Sequence, residues 1–423
     1  MTPSKVKPSR GPTSLAEEAR LAGEFDDWHN LTQLVVWLTG ELDTAALRNA
    51  WWQLCRRHDV LRRTYVSADE ACTYHDVLSD VEFHNAETDE TAIELMRRFL
   101  GTPFRLDGPG FSRIAIVQLS GQRHLLGIAM DHIITDVVSW KRIHADLAEF
   151  YDRALAGDDA DGMPNPSSYQ SFASEQRRLF SGTWGEERRA FWRSYVGEFG
   201  TCSPPFSVGA EHTGEYRSRV LTRDLPVDAK TQLQTISRQA RVTPFAMVSA
   251  GVLAGAREVT NDPMAGISVA HHGRMLPGTS QTAGLFVQTM PLHLGRQATS
   301  PFETAQDVFR RTHDVFEYAL PLSVAAKSWN ETLHVADQAA GLHVALNEQP
   351  PPTRTVRLFG TEAKYIALTF PREKRWPETV VVSWNLYDMD PQLVAQYNAN
   401  YFADAAVEEL LDAAEGFVFP AGS

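Results

Sequence analysis

The sequence predicts a mixed α/β protein in two halves, a reading carried by three features of its 423 residues. Apolar runs of strand length alternate with stretches whose apolar residues recur every three to four positions, and the mixture repeats in both halves. A Gly/Asp/Pro-rich break at Gly157–Pro166 precedes two helical stretches and a second, Pro-containing link at Ser203–Phe206. The length also suggests two or three domain-sized units. We place the boundary between halves in this region, giving an N-terminal subdomain over 1–180 and a C-terminal one over 181–423.

Taken in order, Gln33–Thr39 is a short apolar run suited to a buried strand. Asp43 then caps a helix whose stripe includes Leu47, Ala50, Trp51 and Leu54 and which ends near Arg57-His-Asp59, before another strand. Phe111–Leu119 and His124–Met130 are strand-like runs joined through Ser120-Gly-Gln-Arg123, as in a hairpin. The second run leads directly into Asp131-His132. From Asp136 to about Leu155, the spacing of Ile143, Leu147, Phe150, Tyr151 and Leu155 predicts a helix.

Further helices are expected around Ser168–Phe180 and Gly185–Glu198. The second half should hold a strand near Tyr216–Asp224, helices at Asp228–Arg241 and Pro244–Glu258, and strands at Met264–Ala270 and Leu285–Leu294. Thr243 as cap with proline at the first helical position is a strong start signal. A strand over Val380–Tyr387 should lead to a helix from about Pro391.

Composition narrows the function classes. With 43% hydrophobic and 22% charged residues the chain has the makings of a large core. The formal net charge of −13, with no long Lys/Arg run, argues against a nucleic-acid partner. Cys55, Cys72 and Cys202 form no CxxC pair and read as reduced thiols. No signal-peptide pattern and no membrane-length apolar run occurs, so a cytoplasmic protein without a membrane partner is expected, and Asn30-Leu-Thr and Asn330-Glu-Thr are chance glycosylation matches. His271-His272, Asp131, His132 and Asp136 lack a zinc-enzyme pattern, so no metal is expected. There is no GxSxG elbow, Walker loop or GxGxxG fingerprint.

The chemistry concentrates in Asp131-His-Ile-Ile-Thr-Asp136, a junction between an apolar strand and an amphipathic helix. A histidine accepts a proton near neutral pH, which makes His132 the candidate general base. An isolated HxxxD spacing more often marks a hydrogen-bonded core histidine and a helix cap. Other segments change that weighting.

The loop resembles the HHxxxDG signature of nonribosomal peptide synthetase condensation domains, within the chloramphenicol-acetyltransferase-like superfamily. Ser14–Arg20 resembles that family's N-terminal motif, and Arg57-His-Asp-Val-Leu-Arg-Arg-Thr-Tyr65 is similar to its RHExLRTxF motif. Tyr169–Ala173 resembles YxDYAxW, with Glu175 where tryptophan is expected, and Gly273-Arg274 and Gly284–Thr289 resemble the Gly-Arg and GFFVNT segments. The order of these matches along nearly the whole chain carries the resemblance.

The resemblance implies two chloramphenicol-acetyltransferase-like α/β subdomains arranged as a V around a tunnel. It implies an acyltransferase of natural-product biosynthesis that forms an amide or ester. An acyl or peptidyl thioester on a carrier protein would meet a small amine or alcohol acceptor at His132. The phosphopantetheine arm of the carrier tethers the substrate, and no bound cofactor is expected. The family pairs the motif aspartate with an arginine, so Asp136 should hold the loop through Arg62 or Arg274. Val137, Ser139, Trp140 and Gln288 are candidates for the tunnel or acceptor side. With no adenylation or carrier module recognisable, a free-standing, monomeric enzyme is expected.

Two positions depart from the signature: Asp131 stands for its first histidine and Val137 for its glycine. Asp131 is expected to support the loop by hydrogen bonding or to act on His132 through its charge. Valine disfavours the positive φ and close approach that glycine permits, so Val137 is expected to narrow the tunnel or alter the loop. These changes also fit a silent recruitment module like the glycopeptide-assembly X domain. The Val138-Ser-Trp140 ending prompts a third reading, a relative of epimerisation domains.

Overall fold

The computed structural model describes residues 7–21, 31–76, 78–106, 108, 110–158, 166–199, 217–262, 265–294, 300–321, 324, 341–347, 356–366, 368, 379–386 and 390–420. Cys202, the Ser203–Phe206 link and the Asn330 triplet lie outside these residues, as does Asn30. The described chain is mixed α/β, with three sheets, and it groups into two compact units.

The first unit comprises Met1–Ser181 together with His272–Val287 and Pro352–Glu373. A single cut at 180 therefore misses two later segments that return to it, and one of them carries Arg274. Its three-stranded sheet joins β1 (Ser9–Pro12), β4 (Glu70–Thr73) and β3 (Arg63–Tyr65), with helix α1 (Leu15–Leu21) after β1.

The six-stranded sheet runs β12 (Val356–Leu358), β13 (Thr361–Tyr365), β2 (Leu31–Thr39), β7 (Arg123–Asp131), β6 (Ser112–Leu119), β5 (Val81–Asn85). β7 lies inside this sheet, paired antiparallel with β2 on one side and β6 on the other. Two flanking ladders fix the point at which it delivers Asp131.

Helices cover the sheet because their apolar stripes need burial. α2 (Thr44–Arg57) starts at Asp43, whose carboxylate accepts from the Ala45 and Ala46 N–H groups, and buries Leu47, Ala50, Trp51 and Leu54. α3 (Asp89–Leu100) buries Ala92, Met96 and Leu100. α4 (Val137–Ala156) buries Ile143, Leu147, Phe150 and Tyr151, and stops at Gly157, which takes the left-handed conformation at φ +73°. α5 is Tyr169–Phe180. Its first two N–H groups, of Tyr169 and Gln170, donate to the Asp59 carboxylate at 2.8 and 3.0 Å, which ties it to the segment after α2.

The second unit contains α6 (Thr183–Phe199), β8 (Ser218–Asp224), α7 (Ala229–Ala240), α8 (Pro244–Thr260), β9 (Ile267–His271), β10 (Gln288–Leu292), α9 (Pro301–Glu317), β11 (Gly341–Asn347), β14 (Thr379–Asn385), β15 (Gln392–Asn398) and α10 (Asp404–Val418). Its sheet order is β10-β9-β11-β14-β15-β8. α8 begins with the expected Thr243 cap and Pro244. A Cβ at Gly251 or Gly255 would lie 2.9 Å from a carbonyl oxygen of α10, so these glycines let the two helices approach closely.

The expected helix from Pro391 is instead strand β15, and the helix starts at Asp404. Leu393, Ala395 and Tyr397 alternate inward along β15, which pairs with β14 and β8, so sheet pairing outweighs local helix propensity. The predicted strand at Leu285–Leu294 starts only at Gln288, because Gly284–Phe286 pack into the first unit around Tyr169.

Candidate active site

β7 ends at Asp131, a short 3-10 turn covers His132–Ile134, and Asp136 caps α4. Across 131–136, five residues are buried and only His132 is partly exposed. The turn is anchored by apolar side chains, Ile133 and Ile134 being fully buried in the core. Of the loop's six side chains, the imidazole of His132 is the one left partly exposed.

Asp136 binds Arg274 in a two-pronged ion pair, with Nη1 2.7 Å from Oδ2 and Nη2 3.0 Å from Oδ1. Its oxygens also accept the Ser139 N–H at 2.8 Å and the Phe286 N–H at 3.1 Å. Both side chains are almost wholly buried. The arginine reaches this place because Gly273 turns the chain at φ +68°, where a Cβ would sit 1.8 Å from the Phe286 carbonyl oxygen. The guanidinium lies over the Phe286 ring.

The expected choice between Arg62 and Arg274 is therefore resolved toward Arg274. Arg62 faces elsewhere and does not support the loop. It donates to the carbonyls of Cys55, Arg56 and Tyr74, closing the C-terminal end of α2.

Asp131 is buried. Its Oδ1 accepts the Ile133 N–H at 2.8 Å and stands 3.9 Å from Arg20 Nη2. Burial pushes its carboxyl up to about 6 against the opposing pull of Arg20, the Ile133 N–H and Arg113. Its bond to the Ile133 N–H lies within the loop itself.

The four acceptor-side candidates occupy different settings. Ser139 is buried, with its hydroxyl donating to the Gly284 carbonyl (2.7 Å) and accepting from Arg274 Nη2 (2.7 Å) and the Gly284 N–H (3.0 Å), so it braces the loop. Val137 is the first residue of α4, has negative φ and is 66% exposed, so the loop conformation makes no demand for glycine there. Trp140 is half-buried against the His144 ring, which burial holds down at about 4. Gln288 lies in the second unit, buried at the start of β10.

Glu17, Arg63 and Tyr65 form a polar network that the sequence reading missed. Arg63 and Glu17 make a fully buried ion pair, with Nε–Oε1 at 2.7 Å and Nη2–Oε2 at 3.0 Å. Arg63 also donates to Gln170 and to the Pro12 carbonyl. The Tyr65 hydroxyl lies 2.7 Å from Glu17 Oε1 and 3.3 Å from the Ile133 carbonyl. Tyr169 joins Ser14 to the Leu285 carbonyl. The available signal was the two-residue period of Arg63-Thr-Tyr65, which puts Arg63, rather than Arg62, on one face with Tyr65.

A second buried cluster surrounds Asp146 on α4, which receives His58 (2.8 Å), Arg57 (3.1 Å) and Arg142 (2.7 Å). Burial raises its carboxyl, and the bonds from His58 and Arg142 outweigh that and hold it below the usual range. These contacts lock α2 to α4. Among the described residues no cluster of three His, Cys, Asp or Glu side chains is placed to hold a metal, and no helix is long and apolar enough to cross a membrane.

Residues 24–320 match the family model described as "Condensation domain". Cyclosporin synthetase of Tolypocladium inflatum is 27% identical over 71% of this chain, which spans only 2% of that relative's length. Among solved structures, the complex of the X-domain and OxyB from teicoplanin biosynthesis superposes with a TM-score of 0.78 at 16% identity, covering 98% of this chain and 94% of that one. VibH, described as a nonribosomal peptide synthetase condensation enzyme, superposes at 0.75 with 14% identity, covering 96% of each chain.

Proposed function

Since the chain belongs to the condensation-domain family of nonribosomal peptide synthetases, we propose that it joins a carrier-bound acyl or peptidyl thioester to an amine or hydroxyl acceptor. The observation that carries this reading is the exposure pattern of Asp131–Asp136, in which His132 alone is partly exposed. The acceptor's nitrogen or oxygen attacks the thioester carbonyl, the new C–N or C–O bond forms, and the C–S bond breaks to release the pantetheine thiol. His132 accepts or orients the acceptor's proton, which ends on the departing sulfur. No bound cofactor is required.

A positioned base contributes about 10²–10⁴-fold, whereas holding two reactants together supplies effective molarities of about 10⁵–10⁸ M. Residual activity without His132 is therefore expected. The test is product and intact-mass analysis with acyl-loaded carrier proteins and a panel of amines and alcohols. Wild type should unload the carrier into a condensed product, and His132→Ala should fall by about a hundredfold. Equal rates for the two proteins, with both folded, would reject His132 as the base.

The alternative is a recruitment module that binds a tailoring enzyme or carrier protein, favoured by Asp131 at the first-histidine position. It expects no product from wild type and a complex that survives His132→Ala. Co-sedimentation with carrier proteins and candidate oxygenases separates the two readings.

A further inference from the structure

The residue after His132 is held from both sides. The Ile133 N–H donates to Asp131 at 2.8 Å, and the Ile133 carbonyl lies 3.3 Å from the Tyr65 hydroxyl. Each holding group is itself faced by a charged residue of α1: Glu17 lies 2.7 Å from the Tyr65 hydroxyl and Arg20 lies 3.9 Å from Asp131. We propose that α1 positions His132 through this two-sided clamp on the Ile133 peptide groups, with Asp131 and Tyr65 as its jaws and Glu17 and Arg20 setting them.

The clamp's members come from three segments far apart in sequence, and they are interdependent. Tyr65 and Arg63 stand where the resembling motif has phenylalanine and threonine, and Asp131 stands where the signature has histidine. A buried tyrosine hydroxyl and a buried guanidinium each require a partner, and Glu17 supplies both. The hydroxyl has one proton to share between the Glu17 oxygen and the Ile133 carbonyl, so the carboxylate fixes the direction in which that hydroxyl points. A buried carboxylate at 131 likewise requires cations, and Arg20 on α1 and Arg113 on β6 face it. Two departures from the motifs, Asp131 and Tyr65, thus meet the two backbone polar groups of the residue beside the candidate base, and the third, Arg63, meets their support Glu17. These are positioning residues, since none is argued to touch substrate.

The activity part of this inference rests on the condensation reading, whereas its spectroscopic part does not. Tyr65→Phe removes only the hydroxyl and restores the motif's residue type; Asp131→Asn removes the charge at the other jaw. In protein carrying ¹⁵N-labelled histidine, the His132 ring signals are identified by their loss in His132→Ala. Both jaw variants should displace those signals and shift the His132 titration midpoint, while Arg62→Gln, which serves the end of α2, should leave them in place. In the condensation assay, Tyr65→Phe should lower kcat by about tenfold with KM little changed, the scale of one lost hydrogen bond. An unchanged His132 titration in folded Tyr65→Phe and Asp131→Asn would overturn the clamp. A wild type that makes no product while its His132 signals respond to both jaws would overturn the condensation reading and leave the clamp standing.

Discussion

Asp131 and Asp136 sit at the two ends of one short loop, both buried, and their surroundings differ in kind. Asp136 meets a two-pronged arginine and two backbone N–H groups, four donors in all. Asp131 has one backbone N–H at hydrogen-bond distance and a guanidinium 3.9 Å away. A buried carboxylate with its oxygens fully engaged is a fixed anchor, because ionisation there is matched by charge-assisted bonds. A buried carboxylate with thin compensation keeps its proton to higher pH, and burial raises Asp131 to about 6. One end of the loop is thus tied down, and the other is held by a group whose charge changes near neutrality. His132 lies between them.

The sharpest way to break this contrast is to remove the anchoring cation. Arg274→Ala strands a buried carboxylate and should cost roughly 3–5 kcal/mol of stability, read as a lower denaturant midpoint in urea unfolding. Arg274→Lys should recover only part of that, since an ammonium cannot make the parallel pair of bonds. A loss under about 1 kcal/mol for Arg274→Ala would mean that water or another cation reaches Asp136, removing the distinction from Asp131.

At the other end the effect is smaller and depends on pH. The folded-state value of Asp131 lies above the unfolded one, so the folded protein binds the extra proton. Its contribution is therefore fully present below the unfolded value, near 4, and is lost as pH rises through about 6. Compared with Asp131→Asn, wild type should lose roughly 3 kcal/mol between those limits and then level off. Parallel unfolding curves for the two proteins across this window would show that the carboxyl titrates as it does in an unfolded chain.

Why one end was legible and the other was not comes down to the range of the interactions. The hairpin, the Asp43 and Asp136 caps and the α4 stripe are local, fixed by residues within a turn of one another, and they follow from pattern alone. The partner of Asp136 lies 138 positions away, so the family resemblance narrowed it to an arginine and nothing local could choose Arg274 over Arg62. Gly273 was the useful clue, because only a glycine fits beside the Phe286 carbonyl. The Glu17–Arg63–Tyr65 network was hidden for a different reason. A buried ion pair looks in sequence like two solvated charges, and the expectation that charged residues stay outside is wrong here for both partners. At β15 the expected helix fails although Leu393, Ala395 and Tyr397 already carry the two-residue period of a strand, and pairing with two flanking strands decides the matter.

Val137 gives the finest test of how far the loop tolerates departure from its resembling signature. The residue sits at the first position of α4 with helical backbone and an exposed side chain, so restoring glycine relieves no strain. Val137→Gly should change stability by less than about 1 kcal/mol, in the direction of loss, because glycine gives up more backbone entropy on entering a helix. Any larger effect on catalysis than on stability would then come from the side chain's bulk rather than from loop shape. Comparing kcat/KM for a slender primary amine and a branched one separates these: a gain confined to the branched acceptor in Val137→Gly assigns Val137 to acceptor size selection, and equal changes for both acceptors assign it no part in choosing them.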